Sequence, residues 1–185
     1  MRQPTERYVE VARLFRESAH ADGRTLAVEP ATTEDLAAAE AALGCRFPES
    51  YHWFQLEFGW VSNGPVNIYT VRNVVEESAW KIVGINLEER RDAQPALPAH
   101  LIAFSDSGGG DFCCFDTTAF KDSECPIVWW DHEQDEDQTP EEAGASFLDW
   151  LEAELQELAA EEKGSLLDSL GHVHQTWLRE WLKKK

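Results

Sequence analysis

Three short runs in the middle of the chain, LIAFS at 101–105, FCCF at 112–115 and IVWW at 127–130, are apolar on both alternating faces. Successive strand side chains point to opposite sides, so such strands need cover above and below and belong in the middle of a sheet. Turn signals bound each run: ALPAH before LIAFS, SGGG before DFCCF, ECP before IVWWD, and SNGP before a further run, VNIYTV. Four strands are expected between residues 60 and 130, with a short helix at VEESAWKIVGINLEER interrupting the series.

Helical spacing supplies the cover. Tyr8, Val11, Ala12, Phe15 and Ala19 fall on one face of a helix over 5–20, ended by HADGR. After PATTED, Thr32 or Thr33 can cap a short helix whose stripe is Leu36, Ala39 and Leu43 and whose stop is Gly44. Pro48 sits where a third helix can begin without losing a hydrogen bond, and Tyr51, Phe54 and Phe58 continue it to Gly59. Towards the C-terminus Ser146 caps a stripe of Phe147, Trp150, Leu151, Leu155 and Leu158. A last helix follows Ser165, with Leu166, Leu170, Val173, Trp177 and Trp181. The expected organisation is one domain over 1–163 with a helical extension at 164–185.

Composition excludes several classes. With 43% apolar residues and eight Trp in 185 residues, the chain has too much core material to be disordered. No stretch approaches the length of a membrane span, the N-terminus has no uninterrupted apolar segment, and the four cysteines lack C-x-x-C spacing; a reduced, cytoplasmic protein is expected. Of the net charge of -19, most comes from one segment: residues 122–162 hold fifteen Asp or Glu and no Lys or Arg. Such a surface repels nucleic acid and anionic lipid and attracts basic protein partners.

No motif argues for catalysis or for a cofactor. Gly108, Gly109 and Gly110 lead into Asp111 and a strand, without the G-K-[ST] and helix of a phosphate loop, so SGGG is read as a turn. Within DHEQDEDQTPEE, Asp131, Glu133, Asp135 and Glu142 match positions 1, 3, 5 and 12 of a calcium loop. Glu136 replaces the required Gly, however, and Pro140 intrudes, so no metal is expected. His132, His172 and His174 form no zinc pattern, and no nucleophile motif occurs. What remains is a partner surface: Asp131, Glu133, Asp135, Glu136, Asp137, Glu141 and Glu142. Strand alternation sends one of Trp129 and Trp130 into the core and the other to the opposite face; an exposed Trp130 is an aromatic anchor beside the carboxylates.

The ordered set TTEDLAAAEAALGCRFPESYHWFQLEFG, LIAFSDSGGGDFCCFD, CPIVWWDHE and SFLDWL resembles the SUKH superfamily in its fungal cell-wall-regulator-like subgroup, over roughly residues 30 to 158. The resemblance implies that Leu43, Gly44, Pro48, Tyr51, Phe58, Gly109, Gly110, Asp111, Phe147 and Leu151 form the fold. It implies an α+β architecture, a mixed or antiparallel central sheet of about four to six strands backed by N-terminal and C-terminal helices. It further implies a non-enzymatic immunity protein whose partner is a cognate toxin, or, alternatively, a regulatory scaffold for endogenous proteins.

Overall fold

A computed structural model describes residues 6–21, 26–27, 29–59, 61–63, 66–72, 81–106, 108–135 and 137–160. The helices are α1 (Glu6–Ala21), α2 (Thr33–Leu43), α3 (Glu49–Glu57), α4 (Ile82–Asp92) and α5, described over 147–160. The strands are β1 (Leu26–Ala27), β2 (Val61–Asn63), β3 (Val66–Ile68), β4 (Leu101–Asp106), β5 (Phe112–Asp116), β6 (Ile127–Trp130) and β7 (Glu141–Gly144). The expected last helix at 164–185 lies outside the described residues.

All seven strands form one sheet in chain order, each antiparallel to the one before. The α+β class and the antiparallel sheet are as expected, with three short strands beyond the four expected: β1 and β7 at the edges, and β2 beside β1. β1 is two residues long, and β7 is built from the acidic segment, which carries no apolar alternation to announce a strand. The three doubly apolar runs become β4, β5 and β6 and are buried almost throughout.

The helix signals fold as the local chemistry dictates. The Thr32 hydroxyl accepts from the Asp35 N–H at 3.1 Å while the Asp35 carboxylate accepts from the Thr32 N–H at 2.9 Å, a complete capping box. Gly44 ends α2 in the left-handed region at φ 66°. At α5 the Ser146 hydroxyl accepts from the Asp149 N–H at 3.2 Å.

The start of α3 is completed from afar. Pro48 precedes it with no capping side chain, and the Glu124 carboxylate accepts from the Ser50 N–H at 2.8 Å and from the Ser50 hydroxyl at 2.7 Å. Glu124 is aimed there by a two-residue turn in which Lys121 and Glu124 exchange backbone hydrogen bonds across Asp122 (φ 51°) and Ser123 (φ 70°).

An aromatic cluster fills the space between the sheet and α3 and α5. Phe104 and Phe115 stack at 4.3 Å between centroids, and Tyr51, Phe147 and Trp150 meet them edge-on or tilted. α1 closes over α3 through Phe15 on Phe54, and is tied to α5 by Arg7 with Asp149 and Glu152. α4 joins β3 to β4 and packs on α2 and β4. Two buried amides stitch helices to sheet. Gln55 donates to the Tyr69 carbonyl at 2.9 Å and accepts from the Val71 N–H at 3.3 Å. Asn86 donates to the Ala103 carbonyl at 2.7 Å and accepts from the Ala103 N–H at 2.9 Å, beside the irregularity between Ala103 and Ser105 in the β4–β5 register.

Candidate functional site: the acidic hairpin end

An antiparallel meander puts alternate connections at the same end, so the β4–β5 and β6–β7 turns lie at one end of the sheet. The register confirms their neighbourhood: Asn67 opposes Asp106, Asp106 opposes Phe112, and Phe112 opposes Trp130. The β4–β5 and β6–β7 turns contribute Asp106, Asp111, Asp131, Glu133, Asp135 and Asp137, and no Lys or Arg occurs in either. Cations sit at the other end of the sheet, where Lys121 precedes the two-residue turn and Arg46 lies over the Phe120 ring at 5.9 Å.

The two tips are latched together. The β4–β5 turn starts with the Asp106 carboxylate accepting from the Gly108 N–H at 2.8 Å, and leaves through Gly110 at φ 106°. His132 fills the space beside Gly110: a Cβ built there would lie 2.9 Å from its Cε1. One Asp111 oxygen accepts both from the His132 N–H at 3.2 Å and from its Nδ1 at 2.8 Å. That hydrogen bond raises the imidazole pKa above its ordinary value, assisted by the charges of Asp111, Glu133 and Asp131.

The β6–β7 loop is shaped by its own polar groups. Asp131 accepts from the Glu133 N–H at 2.8 Å and from Gln134 Nε2 at 2.9 Å, which holds its carboxyl below the usual range. Gln138 reaches back across the loop, donating to the Asp131 carbonyl at 2.8 Å and accepting from its N–H at 3.2 Å. With these internal partners met, Glu133, Asp135 and Asp137 are exposed, and none is a partner in any of these loop bonds through its carboxylate.

Of the residues expected from sequence to form the surface, Asp131 is half-buried, Glu133, Asp135, Asp137, Glu141 and Glu142 are exposed, and Glu136 lies outside the described residues. Trp130 requires a correction: it is 2% exposed and belongs to the core, so it offers no anchor. Alternation along β6 leaves Trp129 as the half-buried ring, paired with Cys113 on one side and Glu141 on the other. Sequence reasoning misses Asp106 and the Asp111–His132 latch, because their partnership depends on the register of two hairpins.

Asp111, Asp131 and His132 bring one ligand-type atom each within 4.8 Å of one another, but Asp111 and His132 are already engaged with each other. The thiols are unreactive in kind. All four cysteines are free, and burial pushes Cys45 to about 11, Cys113 and Cys125 to about 12, and Cys114 well above its ordinary value. The arrangement is a shaped, anionic surface.

Among the described residues no helix is long and apolar enough to cross a membrane. No curated protein matches the chain. A protein from Pseudomonas syringae pv. tomato, known by its crystal structure, shares the fold with a TM-score of 0.57 and 19% sequence identity, over 77% of this chain and 93% of that one. The family model SUKH_5, described as SMI1-KNR4 cell-wall, matches residues 11–156, most of the described structure, and the chain therefore belongs to the SUKH family.

Proposed function

We propose that the chain is a non-catalytic immunity protein that binds a cognate toxin domain, a nuclease or another toxin that acts on an anionic substrate, through its acidic hairpin end. One observation carries the reading: the β4–β5 and β6–β7 turns share one end of the sheet, are latched by Asp111 and His132, and present carboxylates with no Lys or Arg between them. A toxin that binds nucleic acid or another polyanion must present Lys and Arg in its cleft. A rigid anionic end can occupy that cleft in the substrate's place and accelerate the encounter. Free cysteines suit a protein that works in the cytoplasm.

The test replaces Glu133, Asp135 and Asp137 with Lys and co-expresses the variant with the toxin encoded beside its gene. Protection should be lost while protein level persists, and association with the purified toxin should slow and lose salt dependence. Unchanged protection and unchanged association rate would refute the acidic end as the interface. The cell-wall description of the family model supports a second reading, a regulatory scaffold binding endogenous proteins, which gene neighbourhood separates from the first: a scaffold has no adjacent toxin gene.

A further inference from the structure

Resting on that reading, we propose that the outer edge of β7 is the docking strand: a basic, extended segment of the partner adds to the sheet there as an eighth strand. β7 is last in the sheet order, so β6 pairs with one side of it, and among the described residues no backbone or side-chain group bonds to the other. Glu141, Glu142 and Ala143 are exposed. The strand is nonetheless held in place. Gly144 packs so closely on α5 that a Cβ there would lie 3.1 Å from Trp150 Cβ, and Trp129 pairs with Glu141 at the other end. An edge held extended before binding costs a partner less ordering than a loop would.

The charge selects the occupant. Glu141 and Glu142 lie on the edge itself and Asp137, Asp135 and Glu133 continue from it, within a segment of fifteen carboxylates without one Lys or Arg. A second copy of this chain, pairing edge to edge, would set these glutamates against their own kind, which is the usual way a protein prevents its edge from self-associating. A strand with Lys or Arg at two adjacent positions, one cation on each face, is attracted instead: Glu141 and Glu142 pair with consecutive β6 residues and so lie on opposite faces, and the incoming backbone would pair with this edge. Pro140 has no N–H to donate, so the docking length is the four residues of β7, a span of about 13 Å.

The probe is a cyclised β-hairpin peptide whose outer strand carries Lys or Arg at the two adjacent positions opposite Glu141 and Glu142 and Val elsewhere, used with the full chain. Three counterparts accompany it: one N-methylated at the outer-edge nitrogens with its charge unchanged, one with Glu in place of the cations, and the Glu141→Lys/Glu142→Lys chain. The basic hairpin should slow amide exchange in Glu141–Gly144, and N-methylation should weaken binding by about tenfold or more, since the ladder is lost while the charge remains. The Lys-bearing chain should prefer the Glu hairpin. Equal binding of the N-methylated hairpin overturns strand addition and leaves the acidic-surface reading intact, because attraction then rests on charge alone. Absence of binding by either basic hairpin overturns the edge proposal, while the acidic-surface reading is decided separately by the toxin co-expression test. Exchange protection of β7 in the peptide-free chain that grows with protein concentration also overturns it, in favour of a second copy as the occupant.

Discussion

The buried amides and the acidic loop both use Gln or Asn side chains bonded to backbone, yet they do opposite things. Gln55 and Asn86 are fully buried and join segments 14 to 17 residues apart, α3 to the strand end at Tyr69–Val71 and α4 to β4. Gln138 joins residues seven apart within one loop. In the first region a polar bond is part of the frame, since its loss strands a buried backbone group; in the second it sets the shape of a loop the frame does not depend on. Conformation is thereby set at the tips by bonds in which the carboxylates of Glu133, Asp135 and Asp137 take no part.

Asn86→Ala tests this contrast most severely. It leaves the Ala103 N–H and C=O unpartnered in the core, so stability measured by urea unfolding should fall by about 2–4 kcal/mol. A loss as small as that of a surface substitution would dissolve the distinction. Glu124→Ala removes the remote cap of α3 and should cost about 1 kcal/mol in the same assay. Replacing Asp122 and Ser123 by Asn and Gly relieves two left-handed residues in the turn that aims Glu124, and should add about 0.5–1 kcal/mol. For the acidic loop, the Lys substitutions at Glu133, Asp135 and Asp137 should change stability by no more than about 0.5 kcal/mol, because exposed charges contribute little.

The smallest effect is expected at the latch and depends on pH. The folded His132 pKa is raised, so the stabilisation the latch provides is fully present below the unfolded value near 6.5 and is lost as pH rises through the folded pKa. Followed by NMR, the His132 ring should titrate above 6.5, and Asp111→Asn should return it towards that value. Asp131 and Glu133, and Glu89 from α4, also face the ring, so the return should be incomplete.

Local signals were legible and distant ones were not. Thr32 with Asp35, Ser146 with Asp149, and Gly44 each act within a few residues, so the caps could be read from the string. Doubly apolar LIAFS, FCCF and IVWW declared central strands because burial on both faces leaves no room for polar alternation. Glu124 caps a helix 74 residues away, and nothing near either partner announces it. β7 escaped notice because an edge strand held on one side needs no apolar pattern. For Trp130, composition put an aromatic ring beside carboxylates, but only the register with Phe112 shows that this ring turns inward while Trp129 stays at the rim. The acidic surface was readable as a charge run; its assembly from two latched hairpins was not.

The order of the strands has a consequence for how the molecule is made. Since every strand pairs with its predecessor, no strand has to be threaded between two already paired, and the sheet can be laid down vectorially as the chain leaves the ribosome. Each newly synthesised strand finds a finished template on one side and nothing on the other. Among the described strands β7 is the last in that succession, so its outer side is the point at which sheet growth stops.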